Sequence, residues 1–311
     1  MKKKSLAIER VMTDGIEWVH LSDNRPEEMR ELTKRYGIHP IDAQDILPPI
    51  QRPKVVRRAD YVFMILLYPR FDDVTQAVYL SEVDFFLSPT RLITVNTDDL
   101  PRLRQRFVSY LQTSRQKNVC AIGTTTQLLY SILDDLLNDA FPLVLQLSAH
   151  SDAIEQRLFQ DFEKDLIQDL LRVKTNIVNV RRSIQGHKHT LRTLIVQSKG
   201  LLPFDELQTL FERLIEQNKE IWDVLEIERE TINALHETNA SLIDYRINEI
   251  MKMLTIVSVI LFPLSLIASI FGMNAINMPV VNSPYGFWII LSLMAVGVAS
   301  MLLIFKYKKW L

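Results

Sequence analysis

The sequence predicts an α+β membrane protein: an N-terminal cytosolic α/β domain, a helical stalk, and two C-terminal transmembrane helices. Residues 253–273 are a run of 21 residues without a charge, and residues 286–305 are a second run of 20. About 20 apolar residues in a helix cross a bilayer core of about 30 Å. Residues 205–270 contain no glycine and keep a helical apolar period. Residues 61–96 contain strand-forming runs divided by turn residues, which favours a sheet before the helices.

Composition excludes several classes of protein. The 311 residues include 36 Lys and Arg against 37 Asp and Glu, so the basic excess of a nucleic-acid binder is lacking. The single cysteine, Cys120, excludes a disulfide framework and any site that needs two thiolates. No phosphate-binding loop, dinucleotide fingerprint or nucleophile elbow occurs, so we expect neither an enzyme nor an ATP-driven pump.

The predicted α/β part rests on short local patterns. Three runs read as strands and two as helices packed on their sheet. A hairpin is predicted around the turn Ser88-Pro89-Thr90. The strands are Tyr61–Leu67, Ala77–Leu87 and Arg91–Asn96, and the helices are Asp42–Leu47 and Pro101–Tyr110.

The remainder is predicted to be helical. Residues 124–199 carry apolar side chains at helical spacing, with a break at residues 161–163. Gly200 and Pro203 separate this part from a helix that begins at Asp205 and runs roughly 100 Å into the bilayer. The predicted boundaries are 1–123 for the α/β domain, 124–246 for the stalk, 247–273 for the continuation of the stalk and the pore-lining first transmembrane helix, 274–285 for the external loop, 286–305 for the second transmembrane helix and 306–311 for a basic tail.

The charges next to the two spans predict their orientation. Lys252 precedes the first span and Lys306, Lys308 and Lys309 follow the second, whereas residues 274–285 have no charge. The positive-inside rule then places both termini in the cytoplasm and the short loop outside, as expected for a multi-pass protein of the plasma (inner) membrane. The N-terminal lysines precede too short an apolar stretch to predict a signal peptide. The alternative, two core helices of a soluble protein, fits these basic flanks poorly.

The first span carries a stripe of polar and small groups on one helical face. Successive members are three or four residues apart: Asn248, Met251, Thr255, Ser258, Phe262, Ser265 and Ser269. Close packing between transmembrane helices is one interpretation, because small hydroxyl residues let helices approach. A pore face is the other, and it requires an oligomer because one helix encloses nothing. The opposite side of the helix is expected to face lipid or the second span through Ile250, Val257, Leu261, Leu264 and Ile267.

No acidic or basic residue lies between Met253 and Phe305. A proton relay or an intramembrane ion pair would normally place one there. Hydroxyl, amide and carbonyl oxygens instead suit a cation that keeps most of its water, and magnesium loses its water reluctantly. The stripe therefore favours a hydrated divalent cation as cargo.

The residues after the first span provide a resemblance. Gly272-Met273-Asn274, followed by Met278-Pro279 and placed between two C-terminal spans, is similar to the Gly-Met-Asn motif of the CorA family of divalent-cation channels. The likeness is specific in the last 65 residues, where it extends to residues 248–255, 262–264 and 308–311. It is weaker in the soluble part, where it extends to residues 38–40, 51–54 and 61–63.

The resemblance implies a funnel-shaped homopentamer with one pore on its five-fold axis. By position, Gly272, Met273 and Asn274 match the outer mouth, Met251 and Leu254 the hydrophobic constriction, and Lys306, Lys308 and Lys309 a basic collar. Pore-facing positions implied by the family are Asn248, Met251, Leu254, Ser258, Phe262, Ser265 and Ser269. The alternative interpretation of these lysines is that they only set the orientation of the two spans in the membrane.

Two features depart from the family pattern. Its outer loop often has an acid after Met-Pro, whereas Val280 stands here, so cations would be concentrated less at the mouth. The family also implies a regulatory cation held between subunits by acids. Candidates are Asp98, Asp99, Glu206 and Glu212, although the expected long-helix position falls near Arg213. A helix cap before Pro101 is the other interpretation of the two aspartates.

The functional hypotheses belong to two classes. The first is passive transport of magnesium, and also of cobalt or nickel, driven by the membrane potential, with zinc transport as the alternative within the family. The second is a membrane-anchored scaffold or sensor, which has no need of a polar stripe. Apart from the transported or regulatory divalent cation, no cofactor is expected, and the predicted partners are the membrane, copies of the chain and divalent metal ions.

Other histidine and acidic residues are not predicted to form a metal site. His187 and His189 are two residues apart on a predicted helix, where side chains do not face each other. The acids Asp134, Asp135 and Asp139 are predicted to lie on a solvated surface.

Overall fold

The structure is a computed structural model that describes residues 8–13, 15–22, 26–96, 100–115, 123–158, 164–273, 280, 283–308 and 310. The chain divides into two compact units. The first ends at Leu235 and the second begins at His236. Each unit is described by itself.

A six-stranded mixed sheet forms the centre of the first unit. Its spatial order is β1-β2-β6-β5-β4-β3, and all neighbours are antiparallel except β2 and β6, which pair in parallel. The longest strands, β4 and β5, pair along eleven positions. The strands are β1 Ile8–Thr13, β2 Ile16–Leu21, β3 Lys54–Arg57, β4 Val62–Asp72, β5 Ala77–Leu87 and β6 Arg91–Asn96.

Helices account for most of the remaining described residues. The first unit contains six of them and the start of a seventh: α1 Pro26–Tyr36, α2 Pro40–Asp45, α3 Pro101–Arg115, α4 Thr125–Leu158, α5 Lys164–Ile184, α6 His187–Gln197 and α7 Gln208–Phe271. The last helix, α8 Gly286–Tyr307, belongs to the second unit.

One face of the sheet is covered by α1 and α2. Apolar side chains of both helices and of the strands form a buried cluster that includes Leu32, Ile46, Phe63 and Val95. An ion pair to the buried carboxylate of Asp42 supports α2, since Arg58 donates from Nε to Oδ2 of Asp42 over 2.9 Å. Fully buried apolar side chains supply most of the driving force for such a layer.

The other face of the sheet is covered by α3, α4 and α5. Trp18 on β2 packs edge-on against Phe107 of α3, with ring centroids 5.0 Å apart. Asn176 of α5 accepts a hydrogen bond from the Val78 amide at 2.9 Å and donates to the Gln76 carbonyl at 2.9 Å. The first unit is therefore a three-layer α/β structure in which side chains of the helices satisfy backbone groups of β5.

The sequence predicted the hairpin and both helices near it. β5 and β6 pair antiparallel as expected, and Pro101 begins α3. The helix predicted at residues 42–47 covers Pro40–Asp45 instead. The prediction lacked β1, β2, β3 and α1.

Three details of the predicted helices are corrected. The expected start of the long helix is a separate 3-10 turn, Asp205–Leu207, and α7 then runs from Gln208 to Phe271. The helix expected up to residue 199 is interrupted between Ile184 and His187, where α5 gives way to α6. The predicted break at residues 161–163 lies outside the described residues, and the flanking helices end at Leu158 and begin at Lys164.

The second unit consists of the C-terminal part of α7 and of α8. Among the described residues, α7 and α8 are the two helices long and apolar enough to cross a membrane, and their most apolar stretches are not buried within the chain. Ordinary core helices of a soluble protein would be buried. The exposure of both apolar segments agrees with the predicted spans.

Candidate pore helix and ion site

The predicted polar stripe lies on one helix, α7, and its side chains are exposed within the single chain. Phe262 is 73% exposed, Leu254 60% and Met251 57%. All eight positions proposed to line a pore are exposed: Asn248, Met251, Leu254, Thr255, Ser258, Phe262, Ser265 and Ser269. Nothing in the described part of the same chain covers this face, so it is free to meet lipid or other copies.

A different face of α7 is half-buried within the chain. Of the five residues predicted there, Leu264 and Ile267 are half-buried, whereas Ile250, Val257 and Leu261 are exposed. The half-buried positions repeat at helical spacing: Lys252, Ile256, Ile260, Pro263, Leu264, Ile267 and Phe271. A similar stripe runs along α8 through Ile290, Met294, Gly297, Val298 and Met301. Two helices packed side by side produce this pattern.

Three hydroxyl groups of the polar stripe, those of Thr255, Ser258 and Ser265, donate to carbonyls of their own helix. Thr255 Oγ1 donates to the Met251 carbonyl at 2.7 Å, and Ser258 Oγ donates to the Leu254 carbonyl at 2.8 Å. Ser265 Oγ donates to the Phe262 carbonyl at 2.8 Å. Because each proton is already used, the remaining lone pairs make this face an acceptor surface.

Pro263 interrupts the hydrogen-bond ladder of α7 without ending the helix. Proline has no amide proton, so the carbonyl four residues earlier, at Val259, loses its usual partner. Transmembrane helices tolerate this where neighbouring groups or water supply a donor. The position adds one further acceptor oxygen in the middle of the span.

Gly272 and Met273 of the Gly-Met-Asn motif directly follow Phe271, the last residue of α7. The Gly272 amide donates to the Ala268 carbonyl at 2.9 Å, and the Met273 amide donates to the Ile270 carbonyl at 3.3 Å. A Cβ atom added at Gly272 would lie 3.0 Å from the Ala268 oxygen. Asn274 and the rest of the loop up to residue 279 lie outside the described residues.

The electrostatics of this helix end favour a cation. The last turn of α7 contains no basic residue. Carbonyl groups at a helix C-terminus carry the negative end of the helix dipole, and the last four have no intrahelical partner of the usual kind. An exposed glycine at this point leaves those oxygens accessible.

The structure describes two of the three lysines of the predicted basic collar. Lys306, the final basic residue of α8, and Lys308 are both exposed. Lys309 lies outside the described residues. Trp310 stacks on Phe305 with ring centroids 5.9 Å apart and holds the chain against the end of α8.

Of the four predicted regulatory acids, Glu206 and Glu212 lie within the described residues. Asp98 and Asp99 lie outside the described residues. Glu206 is exposed, and Glu212 accepts a hydrogen bond from Gln208 Nε2 at 2.8 Å. In the described ranges no group of three or more His, Cys, Asp or Glu side chains is arranged to hold a metal ion. A site shared between subunits stays a prediction.

Two buried carboxyl groups escaped the sequence analysis. Glu82 and Asp84 are two residues apart on β5, and they are 5% and 1% exposed, respectively. Burial, reinforced by the Glu82 charge, raises the pKa of Asp84 well above its usual value. Glu82 Oε2 accepts the Gln51 amide at 2.5 Å. Burial therefore favours the neutral form of Asp84, and Glu82 supports the loop before β3 through its hydrogen bond from Gln51.

The two histidines of α6 face different surroundings, which agrees with the expectation that they share no ion. His187 is fully buried and lies 2.7 Å, through Nε2, from the Leu67 carbonyl, whereas His189 is exposed. The acids of α4 pair with arginines of α3, through Arg102–Asp139 at 2.7 Å and Arg106–Asp135 at 3.3 Å.

Burial of His187 predicts an acid-sensitive stability. Burial lowers the pKa of His187 to about 4 from 6.5, although the Leu67 carbonyl opposes this. Below pH 6.5 the His187 ring therefore binds a proton in the unfolded chain, whereas in the folded chain it binds one only when the pH falls to about 4. The free energy of unfolding should therefore decrease by roughly 3 kcal/mol as the pH falls from 6.5 to about 4. Denaturant midpoints of the full-length protein in detergent at pH 7 and pH 4.5 measure the decline.

The His187→Gln variant removes the titrating group and should show a smaller difference between the two pH values. His189→Gln is the matched control, because that ring is exposed on the same helix. Equal pH dependence in the wild type and in His187→Gln would contradict this origin of acid sensitivity.

Known proteins resemble this chain in sequence and in fold. Residues 13–309 match the family model described as CorA-like Mg2+ transporter protein. The chain belongs to the CorA family. The cobalt/magnesium transport protein CorA of Thermotoga maritima is 29% identical over 94% of this chain and 83% of that protein.

Solved CorA structures share the fold. The complete structure of the CorA magnesium transporter from Methanocaldococcus jannaschii aligns with a TM-score of 0.81 and 25% identity, covering 95% of this chain and 92% of that one. The ZntB cytoplasmic domain from Vibrio parahaemolyticus aligns over 76% of this chain with a TM-score of 0.56 and 12% identity, which shows the fold alone. The N-terminal α/β domain, the long helix and the C-terminal helix predicted from the sequence are confirmed as a CorA architecture.

Proposed function

We propose that this CorA protein is a passive channel that moves hydrated magnesium, and also cobalt, across the membrane through a pore lined by α7. The observation that carries the proposal is the exposed stripe of α7, in which the hydroxyl protons of Thr255, Ser258 and Ser265 are used by the helix itself. The names of the Thermotoga and Methanocaldococcus relatives, which specify cobalt or magnesium transport, support the choice of ion.

The direction of these hydrogen bonds suits a hydrated cation. Water molecules around a cation turn their protons outward and need acceptors, which the stripe offers. Magnesium keeps several of its waters because it dehydrates reluctantly. A face of donors would select anions instead. The acceptor face of Thr255, Ser258 and Ser265 therefore distinguishes a cation path from a path for a negatively charged solute.

The outer mouth is proposed at the C-terminal end of α7. Five copies would bring five helix ends together, each with Gly272, Met273 and Asn274, in a funnel-shaped homopentamer. Carbonyl oxygens at these ends and the Asn274 amide oxygens would bind the water shell of one ion. The lack of a basic residue in the last turn of α7 supports this assignment.

The constriction is proposed at Met251 and Leu254. These exposed apolar side chains lie on the same face as the hydroxyls. Facing copies at this level would close the pore by excluding water, the usual action of a hydrophobic gate. Lys306, Lys308 and Lys309 are proposed to surround the same level on the cytoplasmic side, with both termini in the cytoplasm of an inner-membrane protein.

Regulation is proposed through a cation between subunits. Asp98 or Asp99 of one subunit would face Glu206 or Glu212 of the next, and loss of the ion at low cytosolic magnesium would loosen the closed pentamer. The exposure of Glu206 leaves it available for such a contact. The predicted division at residues 123 and 246 would separate the sensing domain, the stalk and the pore.

The test is ion flux into liposomes that contain the purified full-length protein. A negative-inside potential adds about 4.6 kcal/mol per divalent ion per 100 mV, so magnesium uptake should rise steeply with the potential. Zinc uptake driven by a proton gradient, without magnesium flux, would replace the proposal by zinc transport. A verified oligomer that passes neither ion would indicate the anchor or sensor instead.

A further inference from the structure

A groove on the first unit is lined by none of the residues assigned to ion transport. It has a volume of about 840 Å³ and is bounded by the loop before β3, the end of α5 and the start of α6. Leu67 of β4 and Leu80 of β5 contribute apolar surface to it. Pockets that hold small molecules have comparable volumes, from about 300 to 1,000 Å³, and are mainly apolar with a few polar groups.

The charged side chains of this groove are all basic. Arg52, Arg182 and His189 line it, together with Gln51 and Gln185, and no described lining residue is acidic. Neither arginine makes a hydrogen bond or ion pair with the described part of the chain, in contrast to Arg172, which pairs with Asp169 at 2.5 Å. Two unpaired guanidinium groups beside a histidine form a site that attracts anions.

Backbone features of the groove also favour a negatively charged ligand. Gly186 is the N-cap of α6 and gives its first turn no side-chain hydrogen bond. It lies so close to Pro53 that an added Cβ atom would be 2.7 Å from the proline ring, so both residues hold the helix end beside the loop. Helix N-termini bind phosphate through free amides and the positive end of the dipole.

A buried hydroxyl in the lining of the groove is a second, independent observation. Thr190 lines the groove, is 1% exposed, and its Oγ1 has no hydrogen-bond partner within the described part of the chain. Buried polar groups are normally satisfied, and an unsatisfied one costs about 1–3 kcal/mol. A ligand that reaches the start of α6 would supply the acceptor or donor that Thr190 lacks.

We propose that this groove binds a phosphorylated small molecule of nucleotide size. The phosphoryl groups would contact Arg52, Arg182 and the start of α6, because guanidinium groups bind phosphate oxygens in pairs. The apolar part of the ligand would lie on Leu67 and Leu80. Since no member of the proposed pore takes part, this inference stands or falls independently of ion transport.

The probes are ATP, in the presence of a chelator and without added metal, and inorganic triphosphate. Binding to the full-length protein in detergent is measured by calorimetry at two salt concentrations. We expect saturable binding of ATP that weakens with salt, and at least about a tenfold loss of affinity in the double variant Arg52→Gln/Arg182→Gln. Inorganic triphosphate should bind more weakly, because it lacks the apolar part.

Arg192→Gln is the matched control, since Arg192 is an exposed arginine of α6 that does not line the groove. It should bind ATP like the wild type. Dioctanoyl phosphatidic acid tests a lipid headgroup as the source of phosphate, and its preference over ATP would overturn the nucleotide-sized ligand. Absence of saturable ATP binding, or an equal loss in Arg192→Gln, would also overturn the proposal. An unchanged unfolding midpoint of the double variant excludes misfolding.

Discussion

Magnesium uptake into liposomes should fall at least about tenfold when Gly272 is replaced by alanine. The added Cβ atom would lie 3.0 Å from the Ala268 carbonyl oxygen, so the end of α7 has to shift. Positioned carbonyl dipoles lose much of their effect on an ion when they move by a fraction of an ångström. The side chain would also cover oxygens at the proposed mouth. Potential-driven uptake of magnesium at fixed protein density measures the effect.

Gly297→Ala is the matched control for this change. Gly297 lies in α8, and a Cβ atom there meets nothing within 4 Å, so the same methyl group is added to the other span without a close contact. We expect normal flux in this variant. Equal losses in both variants would mean that the flux reports general damage to the membrane unit, and normal flux in Gly272→Ala would contradict the proposed mouth.

Asn274→Ala tests the neighbouring position of the same motif. Loss of the amide oxygen should abolish uptake, because alanine cannot accept a hydrogen bond from the water shell of the ion. The membrane-anchor hypothesis instead predicts no consequence for any property of the protein that depends on anchoring. Uptake equal to that of the wild type would remove Asn274 from the ion path.

The sequence was most informative where structure is local. The β5–β6 hairpin was predicted because two β-rich runs flank Ser88-Pro89-Thr90, and the Ser88 amide does donate to the Arg91 carbonyl at 2.9 Å across that turn. The two spans were predictable because the bilayer imposes a length on apolar helices. Both inferences need only neighbours in the chain.

The missing strands show the limit of that approach. β2 pairs in parallel with β6, and Trp18 lies opposite Leu92, so the contact joins distant parts of the chain. Parallel pairing leaves no turn signal. A signal for the β1–β2 hairpin did exist, because Asp14-Gly15 stands between two alternating runs and is a common hairpin turn. Gly15 has a φ of +83°, which such a turn requires of a glycine.

The helix faces of the second unit were predictable only in part. The polar stripe is visible in the sequence because Ser and Thr differ from their apolar neighbours. Apolar positions do not reveal whether they face lipid or another helix, since both environments are equally apolar. Leu261 and Leu264 illustrate this limit, because one is 58% exposed and the other is half-buried.

The largest expected loss of stability follows replacement of Asp42 by asparagine. Asp42 is 0% exposed, accepts two hydrogen bonds from Arg58 and accepts a third from the Tyr61 hydroxyl at 2.7 Å. Burial raises the pKa of its carboxyl, but the hydrogen bonds from Arg58 and Tyr61 outweigh burial and hold the pKa below 3.8. Removing one partner of a buried pair leaves the other uncompensated, which costs about 3–5 kcal/mol. Because Arg58 is 28% exposed and regains some water, we expect about 3 kcal/mol.

Denaturant midpoints of the full-length protein in detergent measure this loss. Asp45→Asn is the matched control, because Asp45 pairs with Lys54 at 2.6 Å while both side chains stay partly exposed, and such pairs contribute about 0–1 kcal/mol. The sign of the pH dependence gives a second criterion. A carboxyl with a lowered pKa in the folded chain stabilises above its usual value and loses that contribution as pH falls below it. The difference between wild type and Asp42→Asn should therefore shrink below pH 3.8, the usual pKa of the carboxyl. A midpoint shift no larger than that of Asp45→Asn would show that the network around α2 adds no more stability than a surface ion pair.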